Sequence, residues 1–147
     1  MDKRKYAVLV GCNYPHTQLE LHGCVNDALR WQNTPIHRFG FARENIHLLM
    51  DTDEAYPKPT GENIRAALLA MIRRANAGDL LFFHYSGHGT LIPKHNSPGN
   101  DECIVPCDLK LITGSLALPS IFSQLICSCC SPNFLIKFGT RLLYISI

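Results

Sequence analysis

The sequence predicts an α/β fold with a mainly parallel sheet and helices on both faces, and three observations carry that prediction. Three short apolar runs, residues 6–10, 46–50 and 80–85, have the length and composition of strands buried on both sides. Between them lie two segments whose apolar residues recur at three- and four-residue spacing, the pattern of a helix with one covered face. Strand and helix therefore alternate along the chain, which right-handed crossovers onto a parallel sheet satisfy.

The first strand, Tyr6-Ala7-Val8-Leu9-Val10, follows a solvated basic entrance, Lys3-Arg4-Lys5, and closes at Gly11. The first helix is read from Val25, Ala28, Leu29 and Trp31. Pro35 interrupts it. A proline inside a helix costs about 3 kcal/mol, so the helix is expected to end early or to restart before Phe39-Gly40-Phe41. Residues 46–50 form the second strand, closed by Asp51-Thr52-Asp53-Glu54, and Pro57 and Pro59 mark a loop. Thr60 is the N-cap of the second helix, whose buried stripe is Ile64, Ala67, Leu68, Met71, Ile72 and Ala75. Asn76-Ala77-Gly78-Asp79 stops it, and Leu80-Leu81-Phe82-Phe83-His84-Tyr85 is the third strand.

The 147 residues suffice for one domain, and a content of 46% hydrophobic and 18% charged residues is that of a folded protein. A net charge of +2, with Lys3-Arg4-Lys5 the lone basic cluster, predicts no nucleic-acid partner. Seven irregularly spaced cysteines and no apolar leader predict reduced thiols and a cytoplasmic location. Paired CxxC spacings, the mark of structural zinc, are missing. Residues 111–136 carry no charge and are long enough to cross a bilayer, but Pro119, Pro132, Gly114, Gln124, Asn133 and several serines predict no membrane span.

In an open parallel sheet, reactive groups gather beyond the carboxyl ends of the strands, where three loops begin at Gly11, Asp51 and Ser86. The first, Gly11-Cys12-Asn13-Tyr14, lacks the glycine spacing that cradles phosphate, which argues against a nucleotide site. The third reads His84-Tyr85-Ser86-Gly87-His88-Gly89-Thr90. Histidine accepts and returns protons near neutral pH, and His88 stands on a glycine-flanked loop at a strand end. A structural histidine in a turn is the plain alternative. His84 and His88 are four apart, as paired metal ligands are on a helix, but the glycines exclude a helix and leave His84 a buried strand histidine.

That motif, together with Tyr6-Ala7-Val8-Leu9-Val10-Gly11-Cys12-Asn13-Tyr14, Leu21-His22-Gly23-Cys24-Val25-Asn26-Asp27-Ala28 and Asp101-Glu102-Cys103-Ile104-Val105-Pro106-Cys107-Asp108, resembles the metacaspases, caspase-like cysteine peptidases. The resemblance is closest to the plant-like type II group and runs from about residue 5 to Thr113. It implies a caspase-like three-layer sandwich, incomplete here, with residues 1–113 as the N-terminal part of a catalytic domain and 114–147 as a divergent apolar tail. It further implies a Cys–His dyad cleaving protein or peptide substrates after Arg or Lys. By position His88 would be the catalytic histidine and the Gly89 N–H an oxyanion donor, while Asp27 and Ser86 would line the pocket for the basic side chain, with Asp27 a buried carboxylate; the plain alternative for Asp27 is an exposed acid in the first turn of a helix, favoured by the helix dipole.

Asp101 matches one acidic residue of the family's calcium site. Gly114-Ser115-Leu116 stands where further carboxylates would be, so calcium is not expected to be held tightly. The Asp-Ser-Cys-His-Ser-Gly segment that carries the family's nucleophile does not occur, and the nucleophilic cysteine is not identified. Cys127, Cys129 and Cys130 fall at a suitable distance without its flanking residues. Cys12, Cys24, Cys103 and Cys107 read as small apolar packing residues. The expectation is a truncated, inactive form, the alternative a non-catalytic binding or regulatory module that associates with full-length metacaspases. Three strands alone would leave a bare sheet edge and low solubility unless the tail adds a strand.

Overall fold

A computed structural model describes residues 3–94, 98–113, 133–138 and 141–146. Strand β1 (Lys5–Gly11) lies between β2 (Ile46–Met50) and β3 (Leu80–Ser86), parallel to both. Beyond β3 the sheet continues with β7 (Asn133–Phe138), parallel to β3, and β8 (Arg141–Ser146), antiparallel to β7. The order is β2-β1-β3-β7-β8. A second, antiparallel sheet of β4 (Gly89–Pro93), β5 (Asn100–Ile104) and β6 (Ile112–Thr113) follows the motif around His88.

Successive side chains of a strand point to opposite faces, and β1 shows this directly. Tyr6, Val8 and Val10 face one core with Ile64, Leu68 and Met71 of helix α2 (Gly61–Arg74). Ala7 and Leu9 face a second core with Val25 and Ala28 of helix α1 (Cys24–Phe39). The predicted layers, helix, sheet and helix, are therefore present. Burying each large aliphatic side chain contributes about 1.5–3 kcal/mol, so the two faces of β1 hold the fold together from both sides.

The helix boundaries follow local chemistry. Thr60 caps α2 as expected, its Oγ1 accepting the Asn63 N–H at 3.2 Å, and the chain beyond β5 adds a second cap, Asp108 Oδ1 accepting the Gly61 N–H at 3.0 Å. Helix α1 departs from expectation: it runs unbroken through position 35 to Phe39. A proline forfeits one amide bond there. The apolar face formed by Val25, Ala28, Leu29 and Trp31 stays packed on the sheet, and the Lys5 ammonium donates to the Phe39 carbonyl at the last turn. Tertiary packing and end-capping outweigh one lost bond.

Of the two outcomes left open for the tail, the structure shows the added strand. Strand β7 pairs along β3 from Leu80 to Tyr85, so β3 is not left bare. The antiparallel β4–β5–β6 sheet was not foreseen, because Gly89–Pro93 shows no alternation and ends in proline. Among the described residues no helix is long and apolar enough to cross a membrane; most of the uncharged stretch lies outside them.

Gly11 marks where α1 starts against the sheet. A Cβ there would lie 2.8 Å from both the Cys24 carbonyl oxygen and the Val25 Cα, and neither backbone atom can yield cheaply. Gly11→Ala is expected to destabilise the protein by about 1–3 kcal/mol, the usual cost of overpacking, measured as a lower denaturant midpoint in urea unfolding.

Candidate active site

Three loops meet at the carboxyl end of the sheet, and hydrogen bonds tie each to the next. The Cys12 N–H, just past β1, donates to the Ser86 carbonyl at the end of β3 at 2.9 Å. Asp51, just past β2, accepts the Asn13 N–H at 2.9 Å and the Tyr14 N–H at 2.7 Å on its two carboxylate oxygens. The Asn13 side chain then turns to the helix, its Oδ1 accepting the N–H groups of Cys24 and Val25 at 3.0 and 3.2 Å. These donors belong to the first turn of α1, which has no partners for them within the helix. Asn13 thus caps from outside the helix.

His88 sits between β3 and β4, half-buried, and its Nε2 lies 2.8 Å from the Leu19 carbonyl oxygen. A carbonyl only accepts, so Nε2–H donates in this bond, which leaves Nδ1 as the ring nitrogen that can accept when the imidazole carries one proton. Leu19 is held by its own turn: Thr17 Oγ1 accepts the Leu19 N–H and donates to the Tyr14 carbonyl. The Tyr14 ring packs on the imidazole at a centroid distance of 5.0 Å. Sequence reasoning missed Leu19 and Tyr14. A backbone carbonyl leaves no trace in residue identity, and Tyr14 read only as the last residue of the loop segment after the first strand.

The remaining residues singled out by sequence divide into those the structure gathers and those it does not. Ser86 is buried, and its hydroxyl donates to Asp27 Oδ2 at 3.3 Å. Asp27 itself is exposed, not buried as expected: it stands in the first turn of α1, above the sheet end, where a short polar side chain reaches solvent. Gly89 begins β4, is exposed and pairs with Ile104. His84 is buried in β3 with its ring 5.5 Å from Trp31.

Asp101 is on β5, paired with Ile92 and half-buried. Its neighbour Glu102 faces the other way along the strand, so the two carboxylates cannot close on one ion. Among the described residues no three His, Cys, Asp or Glu side chains gather as a metal site.

Four cysteines lie among the described residues, Cys12 and Cys103 buried, Cys24 and Cys107 half-buried, and all are free thiols. Burial pushes each of them up from the ordinary thiol pKa, with Asp51 adding to the rise at Cys12, Cys24 and Cys107. At Cys24 the contact with Ser86 works in the other direction. None is poised as a thiolate nucleophile, which needs a lowered pKa. Cys127, Cys129 and Cys130 lie outside the described residues. The Cys107 thiol is pushed up to about 11. Its alkylation by iodoacetamide is therefore expected to accelerate about tenfold per pH unit from pH 7 to 9 with no plateau, a profile read by peptide mass spectrometry.

Comparison with known proteins matches this arrangement to one family. The family model described as the metacaspase, peptidase C14 domain matches residues 5–125. Metacaspase-9 of Arabidopsis thaliana is 56% identical over 118 residues, 77% of this chain and 36% of its own length. Metacaspase-4 of the same plant is 53% identical over 113 residues, 74% of this chain and 27% of its own. Metacaspase-1 of Cryptococcus neoformans is 41% identical over 112 residues, 73% and 24% respectively. The chain spans about a third or less of the length of these relatives. A crystal structure of a Geobacter sulfurreducens protein superposes with a TM-score of 0.62 at 24% identity, covering 80% of this chain and 44% of that one, which speaks for the fold alone. With the family's own domain description running over most of its residues, the chain belongs to the metacaspases, a family of cysteine peptidases.

Proposed function

We propose that this chain carries the histidine and acidic-pocket half of a cysteine endopeptidase site that acts after Arg or Lys, and that by itself it does not hydrolyse peptides. The single observation that carries the reading is the imidazole of His88 at a strand end, with Nε2–H committed to the Leu19 carbonyl. A histidine so fixed keeps Nδ1 as its proton acceptor, which is what activating a thiol requires. Asp27 and Ser86 stand at the same end of the sheet and share a hydrogen bond. A carboxylate steadied by a neighbouring hydroxyl can receive a guanidinium by a charge-assisted bond. The Gly89 N–H would serve an oxyanion in the same crevice.

The chemistry of the described thiols supports the inactive reading. The described cysteines are all held as neutral thiols, and the sequence has no Asp-Ser-Cys-His-Ser-Gly segment. An imidazole without a thiolate partner does not build an acyl-enzyme. Calcium enters as a weak ligand at most, with Asp101 contributing one carboxylate.

Pocket and catalysis are separable by experiment. A peptide amide ending in Arg is expected to bind the chain with an affinity that falls about tenfold in Asp27→Asn, the loss of one charge-assisted bond of about 1.4 kcal/mol, read by chemical-shift titration. Equal affinity in the two proteins sinks the pocket assignment. In a fluorogenic Arg-peptide assay the chain is expected to give the buffer rate; turnover abolished by His88→Ala would show that a nucleophile is present after all. Millimolar calcium is expected to leave the melting temperature of the chain unchanged, because one carboxylate does not satisfy six to eight coordination positions; scanning calorimetry checks this.

A further inference from the structure

The hydroxyls of Tyr14 and Tyr85 form a cluster that the dyad chemistry does not use, and both are aimed at the backbone of the His88 loop. Tyr14 is 2% exposed and Tyr85 3%, so each hydroxyl must find its partners inside the protein. Both lie close to one acceptor, the Val105 carbonyl, at 2.5 and 2.6 Å, and 3.0 Å from each other. A phenol has one proton and can also accept. If each donates to Val105, whose oxygen has two lone pairs, the Tyr14 oxygen remains free to accept, and the His88 N–H donates to it at 2.9 Å. The Val105 N–H completes the circuit, donating to the His88 carbonyl at 3.0 Å.

Two further features belong to the same arrangement. A Cβ on Gly87 would meet the Tyr85 oxygen at 2.5 Å and the Tyr14 oxygen at 2.8 Å, so glycine at 87 is the residue that leaves room for the hydroxyls. Tyr14 takes φ of 51°, which side-chain-bearing residues rarely adopt, and the Asp51 carboxylate on its N–H holds it there. Backbone strain is accepted where it delivers the phenol to the histidine.

We propose that Tyr14, supported by Tyr85, is a positioning residue for His88: its hydroxyl fixes the His88 peptide and its ring fixes the imidazole on the Leu19 carbonyl. The proposal rests on the reading of His88 as the proton acceptor, but its geometry can be tested without turnover. A side chain held from its peptide and from its ring face loses the freedom to leave the productive orientation.

The test is NMR on the intact 15N-labelled chain. In the native protein the His88 backbone amide is expected to be protected from hydrogen exchange, and the His88 Nε2–H proton, sheltered by its bond to Leu19, to be visible. In Tyr14→Phe, which keeps the ring and removes only the hydroxyl, amide exchange at His88 is expected to accelerate at least tenfold and the Nε2–H signal to broaden away. Amides of Ala28 and Leu29 in α1, which pack in the other core, serve as the reference and are expected to keep their rates. A folded Tyr14→Phe protein with His88 amide and ring proton unchanged overturns the proposal. Where Tyr14→Phe does not fold, Tyr85→Phe is read in the same way, and a native protein lacking both His88 signals overturns it without any variant. None of these signals depends on a thiol, so silence in a peptidase assay leaves this test standing, and its failure leaves the pocket assignment standing.

Discussion

The site depends on one carboxylate. Asp51, at the end of β2, accepts two consecutive backbone N–H groups, Asn13 and Tyr14, from the loop that leaves β1. A charged acceptor makes such bonds roughly twice as strong as neutral ones, and two of them fix the direction of the chain as well as its position. With its backbone held, Asn13 turns its side chain to the open end of α1, and Tyr14 turns its phenol to the loop beyond β3. One interaction between adjacent strand ends thus sets the start of a helix on one side and the seat of His88 on the other.

Chemistry in the crevice follows from what each group is allowed to be. The cysteines nearest Asp51 are discouraged from ionising by burial and by that negative charge, so they pack as small apolar groups. Ser86 is buried, yet it has a partner in Asp27, and the exposed end of that carboxylate stays in water.

The second sheet serves the same end of the molecule. β4 leaves His88 directly, β5 returns beside it, and the chain after β5 crosses back to the first turn of α2, where Asp108 accepts a hydrogen bond from the Gly61 N–H and the Cys107 N–H donates to the Pro59 carbonyl. Val105 stands midway along this return. Its carbonyl accepts from the tyrosines and its N–H donates to the His88 carbonyl, so a segment remote in sequence closes the loop that bears His88.

Read by itself, the sequence determined the alternation of strands and helices, the parallel pairing, the Thr60 cap and the identity of the His88 motif, because apolar period, capping chemistry and a glycine-flanked histidine are local signals. The family resemblance assigned Asp27 and Ser86 to one pocket. Only the tertiary structure decided that α1 continues through position 35, that Asp27 is exposed, that β7 covers β3, and that Leu19 and Tyr14 meet His88 while Asp51 holds the Tyr14 backbone. Each of these turns on partners tens of residues apart or on a backbone carbonyl. Periodicity records which face of an element is covered, and carries nothing about which distant atom will meet it.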